Sequence, residues 1–225
     1  MTTKIKTKTK ATTAAKSKPP GKRAQNKEKT KQAILQAALE LFSQKGFYET
    51  TTKAISRKAK IAEGTLFNYF RTKEDLALYF FEQEVLGLIE WYRQEKRLLR
   101  SPLPEKLFAI IHHHLERLAP YEDFIGAVHL RALQPASKLS PLRLDTWDYK
   151  LRYLRFVREI LEAASAAGEI PPVGDVGAYA FGIFHVAMIT HWLHDRSPGK
   201  ENTLALLDRG VKVATTLLQK GNWPW

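Results

Sequence analysis

The chain has 225 residues, of which 44% are hydrophobic and none is cysteine, and its formal net charge is +13. This length allows one or two domains with a sizeable core. The lack of cysteine excludes disulfides and thiolate metal sites and fits a cytoplasmic protein. Residues 1–10 alternate Lys and Thr without an apolar segment, so no signal peptide is expected. The longest apolar stretch, 176–189, is shorter than the ~20 residues of a membrane span, so no membrane association is expected.

The positive charge is concentrated at the N-terminus. Residues 1–31 contain eleven Lys and Arg residues and one Glu, a net charge of +10, so the remaining 194 residues carry only +3. Residues 1–25 have few apolar side chains and contain a Pro19-Pro20-Gly21 break, which predicts a disordered basic tail. Such a tail can attract DNA phosphates without regard to sequence, or serve only as a solubilising leader, and the two roles are compatible.

Three helices are predicted after the tail from the spacing of apolar residues. The first begins near Thr30 and ends at Gly46, because glycine tolerates the left-handed conformation after a helix. The second is short, with cap candidates at 50–52 and an end near Ala59. A three-residue turn, 60–62, leads to a third short helix from about 63 to 70.

The rest of the chain is also predicted to be helical. Thr72 is expected to cap a fourth helix that extends as far as Leu99. Acidic residues in the first turn of this helix favour its start. A Ser-Pro-Leu-Pro break follows at 101–104. Beyond it, the spacing of apolar residues predicts helices over 105–118, 123–133, 142–167 and 175–193, and a last helix around 204–218. The 175–193 helix is apolar on nearly all sides, which predicts burial. The fold class is therefore all-α with about nine helices, divided into an N-terminal domain (26–86) and a C-terminal domain (87–225).

Two short helices joined by a three-residue turn, with one helix before and one after, match a helix-turn-helix at about 49–68. In this module Leu66 and Phe70 pack inward, while the front of the third helix is exposed to base edges. Gly64 permits close approach of the backbone to DNA or to the preceding helix. Asn can pair with adenine and Glu with cytosine, whereas Lys and Tyr can fix register on phosphates. The predicted DNA contacts are Thr51, Thr52, Lys53, Glu63, Gly64, Thr65, Phe67, Asn68, Tyr69 and Lys73.

Residues 26–86 resemble the DNA-binding domain of the tetracycline-repressor (TetR) family. The segments that carry the resemblance are Ile34–Ala38, Leu41-Phe42, Gly46, Thr50-Thr51, Ile55, Ala59, Gly64–Phe70 and Lys73–Leu76. The sequence departs from the family pattern at Lys60, where glycine is usual, and at Ala62, where a serine cap is usual. The missing cap implies that the third helix starts less firmly or uses Glu63. The resemblance implies a homodimer formed by the last two helices as a four-helix bundle, and a ligand cavity whose filling releases DNA.

The last helix carries two adjacent apolar stripes. One follows a 3,4,3,4 spacing and the other consists of Leu206, Val213 and Leu217. A single stripe could be core within the chain, but two stripes favour one facing inward and one crossing a dimer axis. The predicted dimer interface is the first stripe: Leu204, Leu207, Val211, Ala214 and Leu218.

The predicted ligand-binding residues are mostly aromatic, which suggests a hydrophobic or aromatic effector, although ordinary core packing is an alternative reading. They are His129, Trp147, Phe181, Phe184, His185 and Met188. His112–His114 cannot converge on one metal ion, because successive helical residues point ~100° apart. His191, His194 and Asp195 have helix-face spacing, but no motif of the zinc-protease type accompanies them. No metal or cofactor is therefore expected.

These patterns predict a sequence-specific transcriptional regulator that binds double-stranded DNA, with a palindromic operator, as a repressor released by a small-molecule effector. One alternative is an all-helical ligand-binding protein or enzyme that uses the C-terminal cavity, but the sequence offers no convergent acid/base constellation for it. Another is a basic architectural protein that binds DNA through its tail alone.

Overall fold

In a computed structural model, which describes residues 21–132 and 147–220, the chain is helical with no strand in these ranges. The ten α-helices of the described residues are α1 (Lys22–Lys45), α2 (Thr52–Lys58), α3 (Glu63–Tyr69), α4 (Lys73–Gln94), α5 (Lys96–Arg100), α6 (Leu103–Leu118), α7 (Glu122–Ala132), α8 (Trp147–Ala166), α9 (Gly174–His194) and α10 (Glu201–Gln219). The all-α prediction is confirmed. The predicted helix that was to extend to Leu99 is two helices, because the backbone of Glu95 leaves the helical region (ψ 78°).

The first helix is longer than predicted. α1 begins at Lys22, directly after Gly21, so 22–25 are helical although the composition predicted disorder there. Tyr79 of α4 donates a hydrogen bond to Glu28, and Gln32 donates to the Tyr79 hydroxyl at 3.1 Å. These contacts hold the N-terminal half of α1 against α4, and the helix continues backward from them as far as the Pro-Pro-Gly break.

The N-terminal domain shares part of its core with the C-terminal domain. α1 to α4 bury Ile34, Ile55 and Leu66 completely. Phe124 of α7 stacks on Phe42 of α1, with ring centroids 4.9 Å apart and planes 12° apart, and also contacts Phe80 of α4. α4 itself runs from the N-terminal domain into the other half. A change in the C-terminal helices therefore has two routes, α4 and α7, to the N-terminal domain.

In the C-terminal domain α8 packs along α9, and α10 packs on α6 and α9. Gly210 permits a close approach of α10 to α9, because a Cβ there would lie 2.6 Å from the Cζ of Phe184. The prediction that 175–193 is buried on nearly all sides is wrong. One face of α9 carries buried Phe181, His185 and Met188, whereas Ile183 on the opposite face is 71% exposed.

The 21-residue α9 is longer than the apolar stretch read from the sequence. By length and composition alone it meets the requirement for a membrane-crossing helix, although core helices of proteins that never enter a membrane also meet it. Its end is fixed to α10 by Asp195, which accepts hydrogen bonds from the hydroxyls and backbone N–H groups of Ser197 and Thr203 at 2.6–2.8 Å. These bonds, with the Ser197 hydroxyl first, hold the pKa of Asp195 well below its usual range.

Candidate DNA-binding surface and ligand site

The helix-turn-helix is built from α2, the turn and α3. Thr51 caps α2 as predicted, since its hydroxyl accepts a hydrogen bond from the backbone N–H of Ala54 at 3.1 Å. Thr72 and Asp75 cap α4 reciprocally, with bonds of 3.0 and 3.1 Å. In the turn Lys60 has φ +58°, a left-handed conformation that costs a non-glycine residue about 1 kcal/mol. The departure from glycine at this position is therefore accommodated by backbone strain and does not change the turn.

The start of α3 lacks a side-chain cap. Ala62 occupies the cap position and its side chain makes no capping hydrogen bond. Glu63 does not substitute for it, because its carboxylate accepts a hydrogen bond from the Thr52 hydroxyl at 2.9 Å. This bond joins the first residue of α2 to the first residue of α3, so it fixes the angle between the two helices where a serine cap would have fixed only α3.

α3 presents one packed face and one open face. Leu66 is completely buried and Phe70 is 4% exposed, so these two residues hold the helix against the domain. On the outer side Gly64, Phe67 and Asn68 are exposed. A Cβ at Gly64 would meet no atom within 4 Å, so this glycine is not required for packing against the preceding helix.

The other predicted DNA contacts flank this open face. Thr51 and Lys53 are exposed on α2, while Thr52, Glu63, Thr65 and Tyr69 are half-buried. Two exposed basic residues that were not among the predicted contacts, Lys60 and Arg71, lie three residues before and two residues after α3. A basic side chain near each end of a helix that faces DNA is suited to phosphate contacts.

Lys73 occupies a different environment from the phosphate-facing one predicted for it. Its ammonium donates hydrogen bonds to the carbonyl oxygens of Phe47 at 2.7 Å and Tyr48 at 3.0 Å. It also lies 4.8 Å from the centre of the Phe47 ring. These contacts attach the start of α4 to the segment between α1 and α2, so the structure gives Lys73 an architectural role.

The predicted ligand-binding residues whose side chains are described lie at three places among α7, α9 and α10. Phe181, His185 and Met188 are buried on one face of α9, and Phe184 contacts α10 at Gly210. His129 is half-buried, with its Nε2 3.5 Å from the Thr190 hydroxyl. Trp147 opens α8, and its side chain lies outside the described part of the structure. Phe181 and Met188 belong to the hydrophobic core, which is the alternative reading that the sequence left open.

Two open cavities lie elsewhere in the C-terminal domain. One, of about 480 Å³, lies between the end of α4, α5, α6 and α10 and has Trp91, Leu98 and Phe108 among its walls. The second, of about 490 Å³, is a groove between α8 and α9 lined by Arg and Glu side chains as well as by Leu151 and Tyr179. Both volumes fall within the ~300–1,000 Å³ of small-molecule sites. None of the five predicted ligand-binding residues whose side chains are described lines either cavity.

The structure covers one of the two apolar stripes of α10 and leaves the other exposed. Leu207 is 0% exposed and Val211 is 2% exposed, so both are already covered by the chain's own core and cannot form a dimer interface. Leu204 and Leu218 are half-buried, and Ala214 is exposed between the stripes. The exposed stripe is the second one, with exposed fractions of 42% to 57%: Leu206, Val213 and Leu217.

α9, which packs on α10, also exposes apolar side chains. The exposed apolar residues of α9 follow a 3,4,3 spacing: Val176, Tyr179, Ile183 and Val186. A monomeric protein rarely exposes many large apolar side chains close together. We call these seven residues of α9 and α10 the apolar face. The two stripes of α10 are both apolar in sequence, and the packing of α10 on α6 and α9 decides which of them the chain itself covers.

The histidine-rich segment of α6 directs its imidazoles to three different neighbours. His112 lies 3.6 Å from Glu116, and His113 stacks on Trp91 with 3.7 Å between ring centroids. His114 is buried against His185 of α9. Two histidines lie near the end of α9: His191 contacts the hydroxyl of Thr203, and His194 contacts the carbonyl of Thr190. No group of metal-ligating side chains of the required kind occurs within 21–132 and 147–220.

Comparison with known proteins agrees with this architecture. The family model for bacterial regulatory proteins of the tetR family matches residues 34–80, from the middle of α1 to α4. The HTH-type transcriptional regulator UidR of Escherichia coli K12 is 41% identical over 145 residues, which cover 64% of this chain and 70% of that protein. The fatty acid metabolism regulator protein of Bacillus subtilis 168 is 28% identical over 143 residues, 64% of this chain and 72% of that protein.

Among solved structures, Thermus thermophilus FadR in complex with lauroyl-CoA is similar over 87% of this chain and 96% of its own, with 25% identity and a TM-score of 0.63. All three relatives are named as regulators, and two of them as a transcriptional regulator or repressor. With a helix-turn-helix at the matched residues and identity above 30% across most of a regulator, the chain belongs to the TetR family of DNA-binding transcriptional regulators.

Proposed function

We propose that this chain is a cytoplasmic homodimeric repressor that binds a palindromic operator through two copies of α3 and leaves it when an acyl-CoA thioester binds in the C-terminal domain. The observation that carries the DNA-binding part is the open face of α3, with Leu66 and Phe70 buried behind it and Gly64 facing free space. A short helix supported in this way is admitted by the major groove.

Within the open face the side chains divide into two roles. Asn68 is suited to adenine, Thr65 to a base or phosphate, and Phe67 to a thymine methyl group. The exposed Lys53, with Thr51 and Tyr69, is placed at the edge of this face for phosphate contacts that fix register. The first group sets sequence preference and the second sets overall affinity.

The apolar face of α9 and α10 supports the dimer. Packing this face against its copy forms a four-helix bundle and removes large apolar side chains such as Ile183 and Val213 from water. In a two-fold dimer the two α3 helices must lie one DNA turn apart, ~34–36 Å, to enter successive major grooves. This requirement is the reason to expect a palindromic operator.

The effector class is suggested by the relatives. One is named a regulator of fatty acid metabolism, and another was solved with lauroyl-CoA. The apolar interior of the C-terminal domain suits an acyl chain. In one arrangement of α4 and α7 the protein cannot bind DNA. A ligand that binds better to that arrangement lowers the fraction of protein bound to the operator.

The DNA-binding proposal is tested by selecting operator sequences from random duplex DNA and measuring affinities by fluorescence anisotropy. Asn68→Ala and Thr65→Ala should lower operator affinity by roughly fivefold or more while leaving random DNA almost unchanged. Lys53→Ala should weaken both equally. Gln94→Ala, which removes an exposed amide at the opposite end of α4, is the control and should change neither. An Asn68→Ala protein that keeps the wild-type sequence preference would refute the assignment of α3 as the reading helix.

The effector proposal is tested by titrating the protein–operator complex with lauroyl-CoA. Release of DNA is expected with lauroyl-CoA and not with CoA alone, because the acyl chain supplies the apolar contacts. Failure of acyl-CoA thioesters of every chain length to release the DNA would exclude this effector class. The DNA-binding role would stand in that case.

A further inference from the structure

A chain of three polar side chains crosses the interior of the C-terminal domain. His114 on α6 is 6% exposed and His185 on α9 is 3% exposed. The Nδ1 of His114 lies 3.0 Å from the Nε2 of His185, and the Nδ1 of His185 is hydrogen-bonded to the hydroxyl of Tyr153 on α8. Three helices are therefore joined through side chains that an apolar core does not require.

All three groups are held in their neutral forms. Burial lowers the pKa of His114 to about 3 and lowers the pKa of His185 well below its usual value. Burial also raises the pKa of the Tyr153 hydroxyl. A neutral imidazole carries one N–H, so each histidine donates from one nitrogen and accepts at the other.

The hydrogen bonds among Tyr153, His185 and His114 determine which nitrogen of each histidine carries the proton. Tyr153 is half-buried, and among the described residues its hydroxyl has His185 Nδ1 as its hydrogen-bond partner, so we assign the O–H as the donor of this bond. His185 then carries its proton on Nε2 and donates it to Nδ1 of His114. The proton of His114 is consequently on Nε2.

The Nε2–H of His114, the last donor in this series of three side chains, is unsatisfied. The Nε2 of His114 is buried and has no hydrogen-bond partner within the described part of the chain. Buried polar groups are nearly always hydrogen-bonded, because an unpaired one loses its bonds to water without replacement. The ordered donors therefore end in an N–H whose acceptor does not lie among residues 21–132 and 147–220.

We infer that His114 recognises an uncharged acceptor oxygen of the effector, such as the carbonyl of a thioester, through its Nε2–H. This inference rests on the proposed function, in which an effector binds in the C-terminal domain. His185 and Tyr153 are positioning residues, because they hold the proton of His114 on Nε2 without touching the ligand.

The surroundings disfavour a carboxylate at the same place. The nearby cation is Arg117, and Glu84 already accepts hydrogen bonds from its Nε at 2.9 Å and its Nη2 at 3.0 Å. A carboxylate would lose its hydration and gain one neutral donor, which does not offset the cost of burying a charge. The site therefore selects activated acyl groups over the corresponding free acids.

The test compares three ligands that share one alkyl chain, using isothermal titration of the full-length protein. Lauroyl-CoA has the carbonyl, S-dodecyl-CoA replaces that carbonyl with a methylene, and laurate has a charged carboxylate. The wild type should bind lauroyl-CoA roughly fivefold more tightly than S-dodecyl-CoA, the gain of one hydrogen bond, and should bind laurate most weakly. His114→Phe should make the two CoA ligands equal. Tyr153→Phe should reduce the difference, because the proton of His114 is then no longer fixed.

Nitrogen-15 NMR of the histidine side chains gives a second readout that needs no ligand and no variant. His114 and His185 should both show the Nε2–H tautomer in the free protein, and a proton on Nδ1 of His114 would overturn the inference. Equal affinity of the wild type for both CoA ligands would also overturn it, since a resident water then serves as the acceptor, while the proposed acyl-CoA effector would stand. If neither CoA ligand binds, the proposed effector class fails and the inference fails with it.

Discussion

Substitution of Gly64 by alanine separates DNA binding from folding more sharply than any other single change. A Cβ at this position meets no atom within 4 Å, and the backbone is not in the left-handed region. The added methyl group therefore has no packing cost within the chain. Alanine is also a better helix former than glycine, by up to about 1 kcal/mol in a helix interior. The free energy of unfolding of Gly64→Ala should be unchanged or higher by a fraction of that amount.

The same methyl group should weaken operator binding. It stands on the open face of α3, where the proposed complex brings the helix backbone close to the DNA. Moving α3 outward by the depth of a methyl group costs at least one base contact, worth about 1–3 kcal/mol. Operator affinity should therefore fall between roughly fivefold and a hundredfold. Urea unfolding measures the first quantity and fluorescence anisotropy with the operator measures the second. A protein with wild-type affinity, or one that has lost stability, would refute this placement of Gly64.

Three further predictions concern the dimer, the anchor of α4 and the buried histidines. Ile183→Glu should yield monomers in sedimentation and abolish operator binding, because the charge is solvated in a monomer and buried in the dimer; Leu99→Glu, a matched change on exposed α5, should do neither. Lys73→Met should lower the free energy of unfolding by about 1 kcal/mol in urea titrations, since two hydrogen bonds to carbonyls are lost; an unchanged value would contradict this anchoring role of Lys73. Burial lowers the pKa of His114 from 6.5 to about 3, so its contribution to stability is complete above pH 6.5 and is lost as the pH falls toward 3, with a slope of up to ~1.4 kcal/mol per pH unit. Between pH 7 and pH 4 the free energy of unfolding, measured in urea, should fall less steeply with decreasing pH in His114→Phe than in the wild type. Equal slopes in the two proteins would contradict a buried, neutral His114.

Much of the local structure followed from the sequence. The caps at Thr51 and Thr72, the turn before α3 and the inward positions of Leu66 and Phe70 were all predicted and are confirmed. These features depend on residues close together in the chain, where hydrogen-bonding side chains and the 3.6-residue period act directly. The backward extension of α1 was missed, because it depends on a contact of Glu28 with Tyr79, 51 residues away.

The sequence by itself determined that this protein is all-helical and that a helix-turn-helix presents Gly64, Phe67 and Asn68. Only the tertiary structure decided which stripe of α10 is covered, that Lys73 holds two carbonyls, and that His114, Tyr153 and His185 meet. Periodicity gives the faces of one helix, but the identity of the helix packed against each face depends on contacts between distant segments. Apolar stripes of equal strength and lone polar residues on apolar helices therefore acquire their roles only when the helices are assembled.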